Sequence, residues 1–148
     1  MRKLILLAED NPDDVLLTQR AFKKSNIANE LIIVKDGQEC LDYLFAEGKF
    51  KDRNTNIMPE VILLDLKMPK MDGLEVLKRI RDDIRTKHLP VVVLTTSKEE
   101  KDIVQSYCFG ANSYITKPVD FDQFVESVKQ LGLYWLVLNQ KPKTQCSE

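Results

Sequence analysis

The feature that most constrains the fold is a series of short, strand-like runs separated by segments whose apolar residues have helical spacing. The runs are residues 4–8, 31–34, 61–64, 91–94 and 113–116. Most of them are continuously apolar, which is typical of strands buried on both faces of a sheet. Because a helical segment follows each run, the pattern predicts five βα units in an α/β domain. Right-handed crossovers then make the sheet parallel and doubly wound.

The segments between the runs carry helix signals. Asn11 and Pro12 offer a cap and a first helical residue after the first run, and Asp120 offers a cap for the last helix. The fourth helix is expected to start in a capped turn at Ser97 and to end at Gly110. Its residues predicted to face inward are Ile103, Val104, Tyr107 and Cys108.

The βα pattern accounts for the chain as far as residue 131. We therefore expect one domain over residues 1–131 and a C-terminal extension over residues 132–148. The extension is apolar to about residue 138, and its polar remainder is expected to be disordered.

The apolar part of the extension, residues 133–138, is unusual because six consecutive apolar residues cannot all lie on one face of a helix. One interpretation is that the last helix continues and packs on its own sheet. The interpretation we favour is a homodimer interface, because a large exposed apolar surface usually marks a contact with another protein. The residues predicted to form this interface are Tyr134, Trp135, Leu136 and Leu138.

The overall charge and the cysteines limit the partners and the cellular compartment expected for the protein. A formal net charge of −1 offers no general attraction to nucleic acid or to an anionic membrane. Cys40, Cys108 and Cys146 are scattered, which argues against a disulfide framework or a zinc site and favours a reducing compartment. No apolar stretch approaches the ~18 residues of a spanning helix. We therefore expect a cytoplasmic protein that binds neither nucleic acid nor membranes.

Several of the runs end at residues that suit phosphoryl chemistry. Glu9 and Asp10 follow the first run, Asp65 follows the third, Thr95 ends the fourth and Lys117 follows the fifth. The carboxyl ends of parallel strands share one edge of a sheet, so these side chains are expected to converge. Neighbouring carboxylates repel each other unless a cation lies between them, and Mg²⁺ accepts this kind of ligand.

The same edge also offers a nucleophile and two groups that bind phosphoryl oxygens. A carboxylate such as that of Asp65 is able to carry a phosphoryl group as an acyl phosphate. The Thr95 hydroxyl and the Lys117 ammonium would then bind the phosphoryl oxygens. Taken alone, an Asp after a strand is usually a cap or turn residue, and a loop Lys is usually solvated. Their joint position favours a site.

These residues resemble the response-regulator receiver domains of bacterial two-component signalling. The resemblance covers about residues 3–131 and is carried by Glu9-Asp10, VILLDLKMPKMDG around Asp65, VVVLTTS around Thr95 and ITKP around Lys117. It implies a flavodoxin-like sheet with the strand order 2-1-3-4-5. It also implies a signalling switch that catalyses only its own phosphotransfer and dephosphorylation.

The resemblance implies a role for each residue of the acidic cluster. Asp65 would be the phosphoacceptor. Asp10 and the backbone carbonyl of Lys67 would bind Mg²⁺ together with Asp65, and Glu9 would act through a metal-bound water.

The resemblance also implies how the switch is read. Lys117 would bind the phosphoryl group, and Thr95 would be the switch hydroxyl. Tyr114 matches the aromatic switch position and would turn inward when Thr95 moves. Without the neighbouring motif, Tyr114 is simply a half-buried strand aromatic.

A narrower resemblance concerns the partner. The connection over residues 48–59, the segment LTTSKEEKDIVQSYCFGANSYITKP and the terminal LGLYWLVLN are similar to the small regulators paired with cyanobacterial and bacterial phytochromes. This implies that the sensor histidine kinase upstream is a phytochrome.

Two other functions are open to the same residues. One is a pseudo-receiver scaffold that binds partners without phosphorylation. The other is a Mg²⁺-dependent small-molecule phosphatase of the haloacid-dehalogenase type. That class places a second Asp two residues after its nucleophile, where this chain has Lys67, and its nucleophile ends the first strand, not the third. The phosphatase is therefore the less favoured of the two.

Overall fold

The computed structural model describes residues 4–24, 29–117, 120 and 122–123. The strands are β1 (Leu4–Ala8), β2 (Glu30–Val34), β3 (Val61–Leu64), β4 (Val91–Thr95) and β5 (Ser113–Thr116). The helices between them are α1 (Pro12–Lys24), α2 (Gly37–Phe45), α3 (Gly73–Asp82) and α4 (Glu100–Cys108), and a short 3₁₀ turn spans Gly48–Phe50.

All described strands are parallel and form one sheet in the order β2-β1-β3-β4-β5. The predicted fold class and strand order are therefore confirmed. The register places Ala8 beside Leu64 and Leu64 beside Val93. The carboxyl ends of β1, β3 and β4 consequently lie side by side, and every residue of these strands is buried.

One face of the sheet packs against α2 and α3. Alternate positions of β1 and β3, such as Leu6, Ile62 and Leu64, share a core cluster with Leu44 of α2 and Leu77 of α3. The side chains of a strand alternate between the two faces, so these positions all point to the same layer. The layer covers the sheet up to the carboxyl edge, and the residues that directly follow β1 and β3, Glu9 and Asp65, are buried.

The fourth helix differs from its prediction. Helix α4 begins at Glu100, and the hydroxyl of Ser97 donates to the Asp102 carboxylate at 2.6 Å instead of capping the helix. Val104 and Tyr107 are about half exposed, and the inward position is occupied by Ser106, which is fully buried. Cys108 is exposed as well. The apolar spacing marked a stripe on the helix, but the way the helix lies on the sheet decides which face is covered.

Arg81 joins three segments at the amino edge of the sheet. Its guanidinium donates to the carbonyl of Leu89 at 2.6 Å and to the carbonyl of Gly110 at 2.7 and 3.0 Å. It also donates to Oδ1 of Asn112 at 2.9 Å, an oxygen that accepts the Val91 N–H at 2.8 Å. This Arg81 clasp therefore ties the end of α3 to the starts of β4 and β5.

The predicted domain boundary and the predicted interface residues Tyr134, Trp135, Leu136 and Leu138 lie outside the described residues. The capping role of Asp120 is supported, because its Oδ1 accepts the backbone N–H of Gln123 at 3.1 Å. Within the described part of the chain, no helix has the length and apolar character needed to cross a membrane.

Candidate functional site

The first acidic residues of the site are held by the backbone of the sheet. The N–H of Glu9 donates to the carbonyl of Val34 at 3.0 Å, and the N–H of Asp65 donates to the carbonyl of Ala8 at 3.1 Å. The parallel ladder therefore continues one residue past β1 and β3. As a result, both side chains start from fixed positions at the same edge.

Glu9, Asp10 and Asp65 form an acidic cluster. Each offers a carboxylate oxygen, and these oxygens lie within 4.8 Å of one another. Glu9 and Asp65 are buried, whereas Asp10 is exposed. The donors are hard oxygens, which fit Mg²⁺.

Lys117 brings a cation into the same cluster. Its N–H donates to the carbonyl of Thr95 at 2.8 Å, which fixes the residue just beyond β5. Its Nζ donates to Oε1 of Glu9, to Oδ2 of Asp14 at 2.9 Å and to Oδ2 of Asp65 at 3.3 Å. The lysine side chain is only 7% exposed. The structure therefore brings the predicted residues Glu9 and Asp65 into contact with the buried ammonium of the predicted Lys117.

Asp14 was missed by the sequence reasoning. It was visible only as one of two acidic residues at the start of α1, where acidic residues are expected because they complement the helix dipole. Its contact with Lys117 joins residues 103 positions apart, and no local pattern reports such a contact.

Burial and the contacts with neighbouring charges shift the pKa values of Glu9 and Lys117. Burial raises the pKa of Glu9 to about 7, helped by the charge of Asp65 and opposed by the hydrogen bond and charge of Lys117. Burial acts to lower the pKa of Lys117, but its hydrogen bonds to Glu9 and Asp14 and the charge of Asp65 outweigh this, so the pKa is raised. The carboxylates around Lys117 therefore favour its charged form.

Thr95 and Tyr114 meet at the loop before α4. The hydroxyl of Thr95 is fully buried and accepts the N–H of Ser97 at 3.3 Å. The hydroxyl of Tyr114 donates to the carbonyl of Ser97 at 3.0 Å. The two predicted switch residues are thus linked through Ser97.

The loop after β3 is closely packed against the starts of α2 and α3. The N–H of Lys67 donates to Oδ1 of Asp65 at 3.3 Å, and Lys70 adopts a positive φ of 68°. A Cβ added to Gly73 would lie 2.4 Å from the Asp65 carbonyl oxygen, and one added to Gly37 would lie 2.1 Å from the carbonyl oxygen of Met71. The two glycines therefore let both helices approach the loop that carries Asp65.

A parallel sheet of this order, with an acidic cluster and a buried lysine at its carboxyl edge, defines a class of metal-binding signalling domains. The model of the response regulator receiver domain matches residues 5–129. This chain belongs to the response regulator receiver domain family, whose members act as signalling switches.

Particular relatives narrow the class. The response regulator Rcp1 of Synechocystis sp. is 40% identical over 134 residues, which cover 90% of this chain and 89% of Rcp1. A solved structure of Rcp1 is described as its Mn²⁺-bound form and has a TM-score of 0.76, with 37% identity and 99% coverage of each chain.

Two further solved structures are similar over most of the chain. The bacteriophytochrome response regulator RtBRR is 50% identical with a TM-score of 0.84, covering 97% of this chain and 86% of RtBRR. The phosphorylated cyanobacterial phytochrome response regulator RcpA is 43% identical with a TM-score of 0.76, covering 92% of this chain and 95% of RcpA. The predicted resemblance to phytochrome response regulators is therefore confirmed.

Proposed function

We propose that the protein is a phosphorylation-dependent response regulator that accepts a phosphoryl group on Asp65. The observation that carries the proposal is the convergence of Glu9, Asp10 and Lys117 on the Asp65 carboxylate. The family membership and the phosphorylated state of the similar RcpA support it. The proposed receiver domain comprises residues 1–131, and residues 132–148 form its extension.

The proposed reaction is transfer from a phosphohistidine. An Asp65 carboxylate oxygen attacks the phosphorus, so that an O–P bond forms while the P–N bond breaks. The electron pair of the P–N bond stays on the imidazole nitrogen, and a ring protonated on its other nitrogen leaves as neutral imidazole. The signal ends by hydrolysis, in which water attacks the phosphorus, phosphate is released and the carboxylate is restored.

Glu9, Asp10, Asp65 and the carbonyl of Lys67 are the proposed holders of Mg²⁺, with Glu9 acting through water. Bound there, the ion would supply positive charge for the phosphoryl oxygens. The hard donor set of this chain and the Mn²⁺-bound form of the similar Rcp1 support this assignment. Lys117 supplies a second positive charge that is already in place beside Asp65.

Thr95 and Tyr114 are the proposed readout of phosphorylation. When the Thr95 hydroxyl turns to donate to a phosphoryl oxygen, it gives up the N–H of Ser97. Tyr114 is anchored to the carbonyl of the same Ser97, so loss of the Thr95 contact changes the loop before α4 at the residue that holds Tyr114. This local exchange of hydrogen bonds would alter the surface of α4, and partners would detect phosphorylation through that surface.

The proposed upstream partner is a sensor histidine kinase of the phytochrome class. The names of RtBRR and RcpA support this choice, because both are described as phytochrome response regulators. We also propose a cytoplasmic homodimer that uses the apolar part of the extension, Tyr134, Trp135, Leu136 and Leu138.

The acceptor assignment is tested with acetyl phosphate and MgCl₂. Intact-mass spectrometry should detect one phosphoryl group on the wild-type chain and none on Asp65→Asn. Asp82→Asn, which alters an exposed carboxylate at the far end of α3, should be labelled like the wild type. Labelling that survives Asp65→Asn would refute the site. A wild type that is never labelled would favour the pseudo-receiver function.

The partners are tested separately. A chain truncated after Leu131 should sediment with more monomer than the full chain, whereas truncation after Leu138 removes only the polar tail and should not. An equal mass for all three chains would contradict the role of the extension. For the kinase, transfer from a phosphorylated phytochrome kinase should be faster than transfer from an unrelated histidine kinase.

A further inference from the structure

The buried ammonium of Lys117 is shared between the reacting carboxylate and one that takes no part in the chemistry. Its distance to Oδ2 of Asp14 is 2.9 Å, whereas its distance to Oδ2 of Asp65 is 3.3 Å. Charge-assisted N–H···O hydrogen bonds are strongest at about 2.7–2.9 Å. Between the two aspartates, the stronger contact therefore goes to Asp14 and not to the proposed acceptor.

Asp14 is held in place by the start of α1. The side-chain oxygen of Asn11 accepts the N–H groups of Asp13 at 2.8 Å and Asp14 at 3.2 Å, and the N–H of Asn11 donates to Oε2 of Glu9 at 3.2 Å. The hydroxyl of Thr18 donates to the carbonyl of Asp14 at 2.9 Å. The backbone of Asp14 is thus fixed relative to Glu9, which binds the same ammonium.

The two aspartates also differ in their access to water. The side chain of Asp14 is 27% exposed, compared with 9% for Asp65. A carboxylate with this access stays solvated after its partner leaves, whereas an unpaired buried carboxylate is costly. Lys117 is therefore able to leave Asp14 without stranding a buried charge.

We infer that Asp14 is a positioning residue that weakens the contact of Lys117 with the Asp65 carboxylate before phosphorylation. The inference rests on the proposed function of Asp65. In the resting site the ammonium divides its hydrogen bonds between Asp14 and Asp65, so it holds Asp65 Oδ2 only by a long contact that Mg²⁺ and the phosphoryl donor are able to displace. After transfer, Lys117 exchanges Asp14 for a phosphoryl oxygen, and water takes its place on Asp14.

Loss of Asp14 has a consequence that does not depend on phosphorylation. Without Asp14, Lys117 would keep Glu9 and Asp65 as partners and bind them more strongly, and both are proposed holders of Mg²⁺. The lysine would then compete with the ion for the same oxygens. Asp14→Asn should therefore weaken Mg²⁺ binding, although Asp14 is not a proposed ligand of the ion.

The test is calorimetric titration of the full chain with MgCl₂ at moderate salt. Asp14→Asn should weaken Mg²⁺ binding about fivefold, the size expected for the loss of one partly exposed ion pair. Asp13→Asn is the matched control, because it removes the same charge from the adjacent, exposed position of α1. Screened at a distance, that charge should change the affinity by less than about twofold.

Repeating the substitution in a Lys117→Gln background separates an effect that Asp14 exerts through Lys117 from a direct effect of the Asp14 charge on Mg²⁺. If Asp14 acts by holding Lys117, Asp14→Asn should change Mg²⁺ affinity less than about twofold in this background. Lys117→Met is a second neutral replacement for the case that the glutamine variant is unstable. An equal effect of Asp14→Asn with and without Lys117 would overturn the inference. Equal effects of Asp14→Asn and Asp13→Asn would overturn it as well.

Labelling with acetyl phosphate tells this failure apart from failure of the proposed function. If the wild type is labelled on Asp65 but Asp14→Asn binds Mg²⁺ like Asp13→Asn, only the role of Asp14 is wrong. If the wild type is not labelled, the proposed function is wrong and the exchange of Lys117 onto a phosphoryl oxygen falls with it.

Discussion

The two edges of the sheet each hold a cation, and the cations have different partners. At the carboxyl edge, the ammonium of Lys117 meets the carboxylates of Glu9, Asp14 and Asp65. At the amino edge, the guanidinium of Arg81 meets the neutral oxygens of Leu89, Gly110 and Asn112. One contact set is therefore charged and the other is not.

This difference decides what each edge is able to do. The carboxyl edge groups several carboxylates around one buried ammonium, so we propose that it binds a metal ion and that its contacts rearrange when charge is added. The oxygens around Arg81 need hydrogen-bond donors, and its fixed planar fork supplies them in one geometry. The amino edge is therefore a structural joint, and the carboxyl edge is an adjustable site.

The largest expected effect is at the structural joint. Arg81→Ala leaves the carbonyls of Leu89 and Gly110 without their donor, so the free energy of unfolding should fall by about 3 kcal/mol. Urea denaturation measures the loss, and Mg²⁺ affinity should stay within about twofold of the wild type. Arg79→Ala, which breaks only an exposed pair with Glu75, should cost about 0.5 kcal/mol or less. A parallel loss of Mg²⁺ affinity in Arg81→Ala would show that the two edges are not independent.

Gly73→Ala, next to the site, should lower the stability less than Arg81→Ala and should also weaken Mg²⁺ binding. In Gly73→Ala the new Cβ meets the Asp65 carbonyl oxygen and the Cα of Leu66, so the backbone of the acceptor loop has to move. Overpacking of this kind should lower the free energy of unfolding by about 1–3 kcal/mol and should weaken Mg²⁺ binding. Gly48→Ala is the control, because it is also strained, at a φ of +55°, but lies away from the site. Unchanged Mg²⁺ affinity in Gly73→Ala would contradict the close link between this glycine and Asp65.

The smallest effect is expected where the site meets α4. Tyr114→Phe removes one hydrogen bond, from the phenol to the Ser97 carbonyl, and should lower the free energy of unfolding by about 1 kcal/mol or less. Mg²⁺ affinity should not change, because the bond lies outside the acidic cluster. Tyr107→Phe, on the exposed face of α4, should be neutral. If Tyr114→Phe alters Mg²⁺ binding, the readout and the metal site are coupled before phosphorylation.

Much of this organisation was predictable from local patterns. The apolar runs predicted every described strand to within one residue, with β2 and β4 each one residue longer than expected. Asn11, the predicted cap, does cap α1, because the capping signal depends only on neighbouring residues. The buried face of the fourth helix was not predictable in this way, because it depends on which neighbouring elements cover the helix and not on its apolar stripe alone.

The sequence by itself determined that Glu9, Asp10, Asp65 and Lys117 would share one edge, since each follows a strand of a parallel sheet and strand ends obey a simple geometry. Only the tertiary structure decided which oxygens hold the lysine and that Asp14 is one of them. A contact between α1 and the residue after β5 depends on how a helix lies across the sheet. No spacing along the chain encodes that angle, because it results from the packing of all the layers together.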